Sequence, residues 1–289
     1  MIPDLHPHDF HAGLSRFNAA RLAPGHIHPD WDVRIRDEVD MRTTEGRFVE
    51  IERKKILNEA RQAPRSAGGF LRWFEDLRER GPGQGDPLFP WLATEATMQQ
   101  MCWFLTQEAA GEAGFDDLVA MTQVKLPVRA KLEMARNFWD EMGRGHEPGM
   151  HGLMLHAVVS HLQLQPVIEN TVWESLALAN LMVALAANRR YAYQAIGALG
   201  VIEMTAPGRV SLVNEGLKRL NVATRARLYF QLHSELDVRH SKTWNEEVLH
   251  SLVEADPGVA QPIAEGALMR LACGARCFER YRRHFGLSS

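Results

Sequence analysis

The sequence predicts an all-α protein. Strand-type alternation is nearly absent, apolar residues recur at a spacing of three to four, and Gly/Pro clusters cut the chain into pieces of helical length. At 289 residues with 45% hydrophobic and 24% charged side chains, the composition is that of an ordinary globular protein. That excludes a wholly disordered chain, a collagen-like repeat and a disulfide scaffold. Lys plus Arg total 33 against 36 Asp plus Glu, a formal charge of -3, so no electrostatic footprint for nucleic acid or an anionic membrane is present and neither partner is expected. The best apolar run, Leu176 to Ala187, is interrupted by Asn180 and falls short of the roughly 18 to 20 residues of a span. Three cysteines (Cys102, Cys273, Cys277) and an N-terminus without basic and apolar signal regions predict a reduced, cytoplasmic setting.

Taken in order, His6, His8, His11, His26 and His28 lie in a Pro- and Asp-punctuated stretch without helical spacing, which predicts a polar arm. Long-chain helix formers predict a partly exposed helix over Glu45 to Gln62, and a second over Ala67 to Glu79, ended by Gly81-Pro82-Gly83. Trp91 to Ala113 carries Leu92, Met98, Met101, Leu105 and Ala109 near one face and reads as a single helix. Pro127 stands where a first-turn proline belongs and opens Val128 to Met142. A loop from Gly143 to Gly149 separates it from Met150 to Leu162. The apolar stretch Val167 to Met204 is too long for one helix, so it divides near Asn188-Arg189, with Ala206-Pro207-Gly208 as its stop. Ala223 to Glu254, broken around Trp244, and Ile263 to Phe285 complete the chain; the basic end of the last complements its own dipole. One all-α domain with an extension over residues 1–85 follows.

The strongest motif is His233-Ser-Glu-Leu-Asp237-Val-Arg-His240. At about 100° per residue, Asp237 lies about 40° from His233 and His240 about 20° away on the other side, so three metal-competent groups share one helix face. A tridentate helix needs carboxylate or imidazole partners on facing helices, as in bundle-core dimetal proteins. Glu203 sits in an otherwise apolar turn, where a charge needs a partner. Glu141, in Trp-Asp-Glu-Met-Gly-Arg-Gly, precedes a glycine-bearing loop that lets it approach His151 on the next helix.

In their order and separation, Trp-Asp-Glu141-x-Gly-x-Gly…His151, Glu203 and His233-x-x-x-Asp237-x-x-His240 resemble the haem-oxygenase-like diiron oxidases and oxygenases, often labelled iron-containing redox enzymes. The resemblance spans about residues 90 to 285. It implies a haem-oxygenase-like bundle of about seven core helices over 86–289 with an N-terminal helical extension, 1–85, packed on it. Carried over residue by residue, it implies the metal ligands Glu141, His151, Glu203, His233, Asp237 and His240, with Glu203 as a catalytic, bridging carboxylate. Some N-oxygenating members add a carboxylate from the preceding helix; Glu108, with Glu112 behind it, stands in that place here, as catalytic residue and ligand. The implied cofactors are two Fe(II)/Fe(III) ions, with O₂ as co-substrate and an external electron donor left open, as is a homodimer. The implied activity is oxidation of a small amine- or carboxylate-bearing metabolite, with N-oxygenation in a biosynthetic pathway leading, and oxidative C–C cleavage or desaturation of an amino or fatty acid as the alternative. A metal-free helical enzyme or binding module of the same fold is the more remote one.

Mixed nitrogen and carboxylate ligands suit iron or manganese rather than a thiolate-seeking metal. Cys273 and Cys277 share a helix face but have no His or Cys partners nearby, so they read as buried thiols. Arg189, Arg190 and Tyr193 precede the Glu203 segment and are candidates for binding a substrate carboxylate. No dinucleotide fingerprint, phosphate loop or nucleophile elbow is present.

Overall fold

Pro7 at the first turn, Asp9 behind it and a capping contact from the His6 side chain to the His8 amide start a helix, α1 (Pro7–Leu22), where scattered histidines predict an irregular arm. The computed structural model describes residues 6–27, 29–112 and 114–287, without the side chains of residues 234–239; His28 and the Asp237 side chain therefore lie outside the described residues. His11 is buried rather than on an arm. It stacks on Trp173 at 5.8 Å and meets the edges of Phe10 and Phe48. α2 (Trp31–Ala60) begins well before Glu45 because its first half is exposed and held by i,i+4 pairs such as Arg42–Glu38. Apolar periodicity cannot report a helix segment that packs on nothing.

α3 (Ala67–Arg80) is as predicted. The single helix expected over Trp91 to Ala113 is two, α4 (Leu88–Thr94) and α5 (Met98–Gly111), because Thr97 and Gln100 form a reciprocal capping box that restarts the helix. α6 (Phe115–Thr122), with Asp116 and Asp117 in its first turn, is short enough to escape a periodicity reading. α7 (Val128–Glu141) follows Pro127; α8 (His151–His161) and α9 (Trp173–Ala187) come next.

A 3₁₀ turn at Arg189–Tyr191 marks the predicted division, and α10 (Ala192–Arg219) then runs straight through Pro207. An interior proline costs about 3 kcal/mol, but α10 buries residues on both sides of it, from Ile196 to Thr205 and at Val213 and Leu217, against α13, α11 and α4. Tertiary packing outweighs the break. Although Arg189–Arg219 is long and apolar enough to cross a membrane, more than half of its most apolar window is buried within the protein. α11 (Leu228–Thr243) passes through a π-helical turn, Trp244–His250, into α12 (Ser251–Ala255), and α13 (Ala260–Phe285) ends the bundle at Gly286. No strand occurs among the described residues, only an isolated antiparallel bridge between Met142 and Met150. α9 is buried nearly all round and lies at the centre with α10 and α13, while α1 and α2 cover α9 and α13.

Candidate metal centre

Glu141 is the last residue of α7 and His151 the first of α8. The loop between them doubles back so tightly that Met142 pairs with Met150. This requires Gly143: its φ is +60°, and a Cβ there would lie 2.4 Å from the Gly149 carbonyl carbon. The loop's glycines thus set the distance between two side chains. His151 Nδ1 lies 2.6 Å from Glu141 Oε2, yet in a geometry that makes no hydrogen bond. Two buried polar atoms held this close outside hydrogen-bond geometry suit a third body to which both donate lone pairs.

Two groups converge here. The ligand atoms of Glu141, His151 and His233 lie within 4.8 Å of one another, and so do those of Glu141, Glu203 and His240. Glu141, His151, Glu203 and His240 are all less than 7% exposed. The carboxylate common to both groups is Glu141, not Glu203, which the resemblance gives the bridging place. Their neighbours orient them. His233 shares Nδ1 with the Tyr229 carbonyl at 2.8 Å, which leaves Nε2 for a metal. Asn137 Nδ2 donates to Glu203 Oε1 at 2.7 Å. Asp140 Oδ2 stands 3.0 Å from His240 Nε2, and His240 Nδ1 lies 3.6 Å from Glu203 Oε2. An Asp–His pair of this kind fixes ring orientation and raises ligand basicity. Arg144, with the left-handed φ of +55°, binds Asp140 Oδ1 at 2.7 Å. Against its burial, the Arg144 and His240 contacts hold the Asp140 carboxyl below its usual range.

The electrostatics are those of carboxylates and imidazoles buried close together. Burial, reinforced by the nearby Glu203 carboxylate, pushes the Glu141 carboxyl up to about 9. Burial likewise lowers His151, with the His240 ring adding to it, and lowers His233 to about 4 with help from His151. The donor set, carboxylates with neutral imidazoles and no thiolate, fits iron.

Residues 102–275, more than half of the chain, match the sequence model of the family described as iron-containing redox enzyme. The chain belongs to that family. This iron-containing redox enzyme is therefore an oxidoreductase, and iron is the metal its family implies. Its fold is similar to that of a domain of unknown function with a haem oxygenase-like fold from Shewanella denitrificans, 17% identical, with a TM-score of 0.50 over 75% of this chain and 90% of that one. No curated protein matches it.

Of the residues singled out in the sequence, the enzyme brings together Glu141, His151, Glu203, His233 and His240; the side chain of Asp237 lies outside the described residues. Glu108 belongs to neither group. It accepts a hydrogen bond from the Tyr281 hydroxyl at 2.9 Å, in an adjoining cavity. Glu112 instead lines the cavity at the centre, its oxygens accepting the Gly114 and Phe115 amides at 3.1 and 3.2 Å. Arg189 binds the Met121 and Thr122 carbonyls and Arg190 binds Glu50, while Tyr193 packs against the core. None of the three lines a cavity at the centre, so the structure gives them no contact with a substrate there. Cys273 and Cys277 are fully buried, and burial pushes the Cys273 thiol up to about 11 and Cys277 higher still, which keeps them as unreactive thiols. Asn137, Tyr229 and Arg270 carry no sequence signal of their own beyond the i-4 position of Asn137 from Glu141 on one helix face; Asp140 stands in the Trp-Asp-Glu141 motif, but that motif alone gives it no role.

These shifts predict how the metal-free enzyme responds to pH. A carboxyl raised to about 9 keeps a proton that the unfolded chain gives up above its ordinary 4.5, so its contribution to stability falls as pH rises from about 4.5 to 9. A histidine lowered to about 4 acts oppositely: His233 and His11 withhold protons the unfolded chain takes up below 6.5, so stability falls as pH drops from 6.5 to 4. Melting temperature of the metal-free protein should therefore peak between about pH 4.5 and 6.5 and decline toward pH 9. With ferrous iron bound, Glu141 is ionised and its share of the alkaline decline should disappear, leaving the part that the buried Glu108 and Glu112 carboxyls contribute; thermal melts at a series of pH values, with and without metal, measure both limbs.

Proposed function

We propose that this enzyme is a non-haem diiron oxidase or oxygenase acting with O₂ on a small metabolite, with residues 86–289 forming the diiron domain and 1–85 packed on it. The observation that carries this reading is the pair of ligand groups joined by Glu141. Glu141, His151 and His233 would hold one iron, and Glu141, Glu203 and His240 the other. When bound, such a pair would supply O₂ activation and the electrons that reduce it.

The chain's own residues supply the rest. Glu141 gives up a proton on metal binding, and its carboxylate then offsets charge at both positions. Asn137 and Asp140 hold Glu203 and His240 in place. The centre opens into a cavity of about 110 Å³, lined by Phe115, Leu118, Met182, Ile202 and Val210 among others, where apolar walls exclude water from the reacting atoms. An adjoining chamber of about 170 Å³ is mainly apolar, with Phe89, Phe104, Leu155, Val158 and Phe230 in its wall. That chamber favours an amino or fatty acid, and with it oxidative C–C cleavage or desaturation. The position of Glu112 beside the centre favours the second reading, N-oxygenation, with Glu112 rather than Glu108 as the additional carboxylate.

Anaerobic loading with ferrous iron followed by metal analysis tests the proposal. About two irons per chain are expected, and a His233→Ala, His240→Ala double variant should retain few. Equal iron in wild type and double variant, or none in either, would show the diiron reading to be wrong.

A further inference from the structure

Two guanidinium groups that the metal centre does not use stand inside the bundle. Arg270 on α13 lines both the cavity at the centre and the adjoining chamber, and Arg209 on α10 lines the chamber. Arg209 has only neutral hydrogen-bond partners, Gln84 Oε1 at 3.4 Å and Thr205 Oγ1 at 3.2 Å, and its guanidinium stacks over Phe89 and Phe278 at 5.8 and 5.5 Å. Arg270 has no hydrogen bond or ion pair among the described residues, and its Nε is fully buried. A fork of five donors left without an acceptor in an apolar bundle is costly.

The carboxylates nearby are otherwise engaged. Glu108 accepts from Tyr281, whose hydroxyl is also 2.8 Å from Ser175 Oγ, and both Glu112 oxygens accept backbone amides. Neither lies within ion-pair distance of Arg209 or Arg270, although Glu108 is close enough to feel the charge of both. Burial also disfavours the ionised form of both carboxyls and lowers Arg209 to about 10, where it still carries its charge at neutral pH. The chamber therefore joins two guanidiniums with open donors to Glu108, Glu112, Ser175 and Tyr281, whose polar atoms already have partners, and the rest of its wall is apolar. That is complementary to a molecule with one anionic end and a hydrocarbon body.

We propose that Arg270, backed by Arg209, is the anchor for the substrate's carboxylate, and that the substrate is an apolar monocarboxylate whose body fills the Phe89–Phe104–Phe230 chamber. Because Arg270 borders both cavities, the carboxylate sits at their junction, and the carbons next to it are the ones closest to Glu141 and Glu203. Oxidation would thus fall near the acid end rather than at the far end of the chain. This orientation rests on the diiron reading, but binding of the acid does not require metal.

The test therefore uses the metal-free full-length protein and reads ligand binding by thermal shift and calorimetry. The probes are octanoate, 3-phenylpropanoate, and their charge-reversed counterparts octylamine and 3-phenylpropylamine. At least one acid should stabilise wild type while its amine does not; which acid does so separates a linear from an aromatic hydrocarbon body. Arg270→Met should weaken that acid's affinity tenfold or more, yet leave the ligand-free protein as stable as wild type or more so, since it removes an unpartnered buried charge. Arg270→Lys, which keeps the charge but not the fork, should fall between. A mere structural counter-ion for Glu108 would behave oppositely: Arg270→Met would lower the melting temperature and leave acid binding unchanged. That result, equal binding of acids and amines, or binding of neither acid, overturns the proposal whatever the iron content.

Discussion

Glu141→Gln should remove both proposed metal positions while leaving the bundle folded. In the metal-free protein Glu141 is held largely protonated at neutral pH, its carboxyl raised to about 9, so the neutral glutamine of nearly the same shape replaces it at little structural cost. The glutamine cannot lose a proton to offset positive charge, and Glu141 is the residue common to both ligand groups. The loss should exceed the roughly 10–100-fold in metal affinity that follows removal of a ligand's outer partner. Metal analysis after anaerobic loading should find well under one iron per chain, with wild-type circular dichroism and no turnover. Glu203→Ala should also abolish turnover in a folded helical protein, but it touches only one group, so about one iron should remain. If Glu141→Gln retains iron and Glu203→Ala loses all of it, Glu203 is the shared carboxylate, as the family resemblance implies.

Gly266→Ala and Gly197→Ala should be the most destabilising single-methyl changes in the core. A Cβ at Gly266 on α13 would lie 1.8 Å from the Gln194 carbonyl oxygen on α10, and one at Gly197 would lie 1.9 Å from that of Ile263. These contacts are reciprocal and meet backbone, so neither helix yields by turning a side chain; the helices must separate. Overpacking of this kind costs about 3 kcal/mol or more, a fall of roughly 6–12 °C in melting temperature for a domain of this order. The same separation moves Glu203 on α10 against Arg270 on α13, so iron binding and acid binding should weaken along with stability. A melting temperature within about 2 °C of wild type would mean that the two helices do not cross as closely as described.

Much of this was legible in the chain itself. The helical class follows from periodicity, and the tight Glu141–His151 loop from its glycines. His233 and His240 follow from their spacing on one face. Where the reading departs from the structure, a tertiary contact or a local hydrogen bond outweighs the propensity. Pro207 fails to stop α10 because the helix is buried on both sides of it. Residues 91–113 divide because Thr97 and Gln100 cap each other. His11 goes inside because Trp173, distant in sequence, offers a ring to stack on. Glu108 and Glu112 are one helical turn apart, and only the packing of α5 tells which faces the centre and which faces Tyr281.

By itself the sequence determined the ingredients: an all-α chain, the helix that carries the His233 motif, the glycine loop that returns His151 to Glu141, and the lone glutamate in the apolar turn at 203. Those are properties of spacing along the chain, set by the 3.6-residue turn and by where glycine permits a left-handed backbone. Only the tertiary structure decided which carboxylate the two candidate ligand groups share, which neighbours orient them, and that Arg270 lines a chamber without a hydrogen-bond partner of its own while Arg189 and Arg190 are engaged elsewhere. Those are distances between helices far apart in sequence. They are fixed by side-chain packing and by two glycines at one helix crossing, which no local pattern encodes.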